Sequence, residues 1–211
     1  MKDLTDDSAP RSILSLEGNQ WMAQWPTDTL IVFESDQGAF ANLWMVDLSD
    51  WARPEARPYL TSEADLRRVT VSPDGRLAAY RSSESGQFEI YVRSFPTPGE
   101  RTVLSRRGGA ILGWSPDGST LYQGLLGEGL RAIRLGRGPV PVVLSADTVS
   151  AVRGSRIEPR AQTLHPDGDR FIFAVSERVA AAAEADGGAE PERVVLVQNF
   201  AEELARLLRG N

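Results

Sequence analysis

The first candidates for chemistry in this sequence are three acidic side chains that follow proline. Asp74, Asp117 and Asp167 each stand in a Pro-Asp-Gly triplet. Carboxylates bind calcium in clusters and move protons in pairs, and either task needs them side by side. Their spacing puts one in each of three similar stretches, "VSPDGRLAAY", "GWSPDGSTLY" and "TLHPDGDRFIF". One equivalent position in three separate units is expected to hold them far apart. Turn formation accounts for each of them: Pro presets φ, Asp bonds to nearby backbone, and Gly takes a positive φ.

The other catalytic patterns fail on context. Ser115 in "GWSPD" brushes against a nucleophile elbow, but Asp117 stands where the second Gly belongs, and an elbow needs a strand-to-helix turn and a His partner. His165 is the only His and takes the place held by Ser72 and Ser115 in the other copies, where capping a turn is its natural role. There is no Cys, which removes disulfides, thiolate metal sites and a cysteine nucleophile, and one His builds no zinc site without a carboxylate cluster. "GEGLRA", Gly127 to Ala132, matches a dinucleotide-type glycine pattern. It runs into the strand-like "LRAIRL" rather than the helix that would meet a pyrophosphate. No catalytic, cofactor-binding or metal-ligating residue is therefore expected, and no cofactor. Three residues are candidates for binding: Arg106 and Arg107, a basic pair in the loop "SRRGG" suited to an anion, and Trp51, an aromatic in the irregular "SDWARPEARP". Trp21, Trp25 and Trp44 alternate with polar neighbours and are expected to pack between units.

Charge narrows the partners. The 23 basic and 29 acidic residues give a formal net charge of -6, poorly matched to the phosphate neutralisation that drives nucleic-acid binding. Nearly every basic residue is Arg, Lys2 being the only Lys; this fits bidentate oxyanion recognition and, more simply, the coding bias of a GC-rich genome. No run of 18 apolar residues offers a membrane helix. The start, "MKDLTDDSAPRS", has no apolar stretch of the signal-peptide kind. The chain as written is expected to be cytoplasmic and not to insert into a membrane.

The elements that position these residues repeat. Pro73, Pro116 and Pro166 lie at intervals of 43 and 50 residues, and a worn copy, "QWPTDTLIVF", places Pro26 a further 47 upstream. A period of this size marks a propeller blade or a similar array. Short β-rich runs punctuated by Gly, Pro and Asp fill each unit, and no helical periodicity competes before residue 198. The expected architecture is all-β, a β-propeller of about four four-stranded blades at 20–61, 66–106, 109–145 and 159–199, within a propeller region of 11–199 that follows a flexible N-terminus at 1–10. The fourth unit shows three strands only. Residues 11–18, with the orphan "SILSL", are expected to supply its outer strand beside "RVVLVQN" and so close the ring; the alternative is an open arc taken from a larger propeller. The tail at 200–211 places Phe200, Leu204, Leu207 and Leu208 on one helical face, with Asn199 as cap and Gly210 as stop.

The repeated "SPDG" after an apolar strand, followed by "YRSSESGQFEIYVRSF", resembles the TolB-type, WD-like β-propeller repeat family over about residues 20–200. More narrowly, "FEIYVRSFPTPGE", "GWSPDGSTLY" and "VVLVQNFAEELARLL" look like the C-terminal propeller of bacterial receptor-like serine/threonine protein kinases. That resemblance implies a sensor or interaction module beyond a membrane helix, hence an extracytoplasmic place if the chain belongs to such a receptor. It also implies a protein or small-ligand partner at the propeller face. The kinase signatures themselves, a Gly-rich loop with a strand Lys, His-Arg-Asp and Asp-Phe-Gly, are missing from this sequence. The alternative from another class is a piece of an enzyme polypeptide, either such a kinase or the propeller of a prolyl-oligopeptidase-like serine peptidase.

Overall fold

The computed structural model describes residues 12–125, 129–136 and 138–149, and the backbone of three further strands at 156–164, 171–176 and 192–197. Four antiparallel sheets follow one another along the chain, each built from consecutive strands in simple meander order. The first holds β1 (Gln20–Thr27), β2 (Leu30–Ser35), β3 (Asn42–Asp47) and β4 (Glu55–Leu60). The second holds β5 (Leu66–Val71), β6 (Leu77–Ser82), β7 (Glu89–Ser94) and the two-residue β8 (Thr102–Val103). The third holds β9 (Ala110–Trp114), β10 (Thr120–Leu125), β11 (Gly129–Leu135) and β12 (Val143–Val149). The fourth has three strands, β13 (Arg156–Leu164), β14 (Phe171–Ser176) and β15 (Glu192–Val197). The chain is all-β in the described residues, as its turn-punctuated pattern requires. The expected C-terminal helix at 200–211, His165 and Asp167 lie outside those residues.

Alternation decides which way each strand faces. Val32 points one way from β2 and packs with Leu43, Met45, Ala78, Tyr80 and Tyr91 between the first and second sheets. Leu77 and Ala79 point the other way from β6 and meet Leu121, Ile133 and Trp114 of the third sheet. A middle sheet covered on both faces buries consecutive residues, and Leu77, Ala78, Ala79 and Tyr80 are all buried. The inner strands are also stitched across sheets: the Val71 amide donates to Gln24 Oε1 at 2.7 Å, and Trp114 Nε1 donates to the Thr70 carbonyl at 3.3 Å.

Each inner strand slips register against its neighbour, between Trp21 and Gln24 in β1, Arg67 and Thr70 in β5, opposite Tyr122 and Gln123 in β9, and between Ile157 and Gln162 in β13. Such bulges bend the strand and sharpen its twist. In β5 the bulge holds Arg68 at φ 58°, where its amide donates to the buried Glu34 Oε1 at 2.5 Å.

Three expectations are corrected. Residues 12–19 form no strand: Ile13, Leu14 and Leu16 instead cover Phe33, Val46 and Leu48 on the outer face of the first sheet, the apolar seat nearest to them in the chain. Among the described residues, contacts join each sheet to the next through β5, β9 and β13, and no comparable set joins β13–β15 to β1–β4. Trp21 and Trp25 are not buried between sheets: they are 38% and 50% exposed, Trp21 meeting the second sheet through the Arg67 guanidinium, 4.8 Å from its ring centroid, and Trp44 lies on the outer face of the first sheet. Finally, the Pro-Asp-Gly turns of the second and third sheets are neighbours rather than strangers: the Asp74 side chain lies against Gly118.

Candidate binding groove between the second and third sheets

The Pro-Asp-Gly turns of the second and third sheets are built alike. Ser72 and Ser115 accept the Gly75 and Gly118 amides on their carbonyls at 2.8 Å. Their hydroxyls donate to Asp74 at 2.7 Å and to Asp117 at 2.6 Å, and accept the Leu77 and Thr120 amides at 3.0 and 2.9 Å. Partial burial works to raise the Asp74 carboxyl, but the Ser72 hydroxyl and the Arg76 guanidinium and amide outweigh it and hold it below the ordinary carboxylate value. Ser115 is thus spent on turn geometry.

A concavity lies at the other end of these sheets, beside a strand that is short. β8 has two residues where its counterpart β12 has seven. The face of the third sheet turned toward the second is therefore left uncovered over its far half, opening a cavity of about 550 Å³. Register fixes what that face carries. Gln123 of β10 pairs with Arg131 of β11, which pairs with Thr148 of β12; one step along, Ile133 pairs with Ala146. Arg106, Arg107 and Gly108 of the β8–β9 connection form the lip.

That lip is held by a buried carboxylate. Glu89 is 3% exposed; its Oε2 accepts the Gly108 amide at 2.9 Å and the Ser105 hydroxyl, and its Oε1 accepts from Gln87 Nε2 at 2.6 Å. Ser105 Oγ accepts the Ile90 amide at 2.8 Å, and Gln123 Nε2 donates to the Gly108 carbonyl at 2.8 Å. Gln123 Oε1, also buried, has no partner among the described residues. Arg106 and Arg107 thus project from a loop whose backbone is already fixed.

Arg106 and Arg107, singled out as a basic loop, therefore come together at one groove, and β11 brings Arg131 to the same place. Sequence reasoning missed Arg131, since nothing in "LRAIRL" tells which face it occupies. Trp51 is 37% exposed, its ring 6.0 Å from Trp25. It lies in the β3–β4 connection, at the opposite ends of the strands from the β8–β9 connection, so it is no part of the groove. "GEGLRA" leads into β11, a strand, from Gly129 onward. Among the described residues no group of three or more His, Cys, Asp and Glu side chains converges, and no helix is long and apolar enough to cross a membrane.

No protein-family model matches the chain, and no curated protein resembles it in sequence. Solved structures do resemble it in shape. TolB from Acinetobacter baumannii matches with a TM-score of 0.60 at 19% identity, over 92% of this chain and 45% of that one. A putative TolB from Agrobacterium tumefaciens matches at 0.61 and 19%, over 89% of this chain and 61% of that one. The Cps50 (Swd1) β-propeller domain of Myceliophteria thermophila matches at 0.53 and 7%, over 77% of this chain and 56% of that one. At such identities the likeness is one of fold: the four sheets are arranged as blades of a β-propeller, the fold of the matched structures. The chain spans about half the length of the TolB structures it matches.

Proposed function

We propose that this chain is a non-catalytic propeller module that binds a partner, related to the propeller half of a receptor-like serine/threonine kinase. The observation that carries the binding role is the groove between the second and third blades, where a fixed loop presents two arginines beside an uncovered sheet face. Propellers characteristically place function in loops and surfaces on a rigid scaffold, and Ser115, Asp74 and Asp117 are engaged in turns. The kinase relation rests on the sequence resemblance of "FEIYVRSFPTPGE" and "GWSPDGSTLY".

Two measurements test the parts separately. Incubation with labelled ATP and a generic protein, and with ester and peptide substrates, gives background turnover; a rate abolished by Ser115→Ala in a folded variant overturns the non-catalytic reading. Sequencing the coding region that flanks this chain tests the kinase relation: a kinase domain and a membrane helix encoded upstream support it, a hydrolase domain downstream overturns it.

A further inference from the structure

We infer that the groove takes an extended acidic peptide segment bearing aliphatic side chains. This deepens the binding-module reading and rests on it. The chain carries a net charge of -6, yet Arg106, Arg107 and Arg131 gather at one end of one groove. None of the three has an ion pair or a side-chain hydrogen bond among the described residues, whereas Arg67, Arg76 and Arg101 each have a carboxylate. Guanidiniums without internal partners at a concave site favour carboxylates from outside, which they can hold in two-pronged fashion.

The other end of the groove is apolar. Val103 and Val143 line it, and the stretch from Val140 to Leu144 continues it onto the surface, with Val142 55% and Leu144 63% exposed. Val103, Val140, Val142, Val143 and Leu144 are all exposed here, and together they offer an apolar contact surface. β8 is the outer edge of its sheet and stops after two residues. An extended segment lying along the groove reaches both ends, its acids meeting the arginines at one end and its aliphatics meeting Val103 and Val143 at the other. A free phosphate or a single carboxylate uses the arginines and ignores the apolar half.

Binding is measured by fluorescence anisotropy on the full chain, with a labelled, end-blocked heptapeptide of alternating Val and Glu as probe. The same peptide with Lys for Glu, inorganic phosphate and free glutamate serve as competitors. The Val-Glu peptide binds, phosphate and glutamate compete poorly, and the triple variant Arg106→Glu, Arg107→Glu, Arg131→Glu loses about tenfold or more in affinity while gaining binding to the Val-Lys peptide. Val103→Asp weakens the Val-Glu peptide as well. These arginines are partly or fully exposed and have no ion pair among the described residues, so the variants keep their fold, checked by far-UV circular dichroism and thermal melting. Absence of peptide binding, affinity unchanged by the charge reversal, or glutamate competing as well as the peptide each overturns the assignment. Such a failure leaves the turnover assays untouched, so it is distinguishable from failure of the module reading.

Discussion

The Asp74 carboxyl group packs against Gly118 of the next blade so closely that a Cβ built on Gly118 stands 3.0 Å from Asp74 Cγ and 3.1 Å from both its oxygens. Gly118 thus answers two demands at once, a φ of 68° for its own turn and room for the neighbouring turn. Gly75 answers only the first: it has φ 69° and open space where a Cβ would go. A left-handed residue with a Cβ costs about 1–2 kcal/mol. Gly75→Ala is therefore expected to destabilise by about 1 kcal/mol, and Gly118→Ala by more, because Asp74 must also give way. Urea unfolding of the two variants checks the order; equal losses would remove the contact between the turns as a structural constraint.

The serine that opens each turn leads to a second expectation. Ser72 and Ser115 Oγ accept the Leu77 and Thr120 amides in surroundings almost closed to water. Truncation to Ala leaves each amide without its acceptor, a loss of about 1–2 kcal/mol. Ser72→Ala and Ser115→Ala should lower stability by similar amounts, and Ser115→Ala should change no activity. Unequal losses would show that the two turns are not built on one plan.

Glu34 supplies a pH dependence. Its carboxyl is 2% exposed, and burial raises its pKa above the ordinary 4.5 against the opposing pull of the Arg68 amide and the Arg67 guanidinium. A carboxyl raised in the folded state favours its protonated form there. The stability it contributes is complete below the unfolded value near 4.5 and is lost as pH rises through the folded value. Glu34→Gln does not titrate. Denaturant unfolding across this range should therefore show the variant gaining on the wild type as pH rises from about 4.5 toward neutrality. A constant difference would mean that Glu34 titrates alike folded and unfolded.

These cases divide along what a local stretch of sequence encodes. The turns were legible because Ser-Pro-Asp-Gly fixes its own hydrogen bonds within six residues, and their recurrence gave the number of sheets. The contact of Asp74 with Gly118 was not legible, since it depends on how one blade leans on the next. The groove was half legible: Arg106 and Arg107 announced themselves as a basic loop, but Arg131 joins them only through its pairing with Gln123, and the cavity lies beside β8, which is shorter than β12. The bulge at Arg68 left no mark in "LRRVTV", because a bulge is a property of two strands. The N-terminal "SILSL" has the composition of a strand; Phe33, Val46 and Leu48 decide instead that it packs as a cover.

Glu89 governs the lip of the groove, which leads to the last expectation. Three donors meet its carboxylate: the Gly108 amide and the Ser105 hydroxyl on Oε2, and Gln87 Nε2 on Oε1. Glu89→Ala removes all three acceptor contacts and leaves a buried amide and hydroxyl unpaired, at a cost of about 2–4 kcal/mol. Glu89→Gln keeps one oxygen for Gly108 and Ser105, and its new amide group can be met by turning over the Gln87 side chain, whose own carbonyl then accepts. The Gln variant should therefore retain most of the stability that the Ala variant loses. Amide hydrogen exchange gives the local readout: Gly108 should exchange much faster in Glu89→Ala and little faster in Glu89→Gln. Unchanged protection of Gly108 in the Ala variant would mean that the loop is held by Gln123 rather than by Glu89, and that Arg106 and Arg107 owe their placement to the third blade instead of the second.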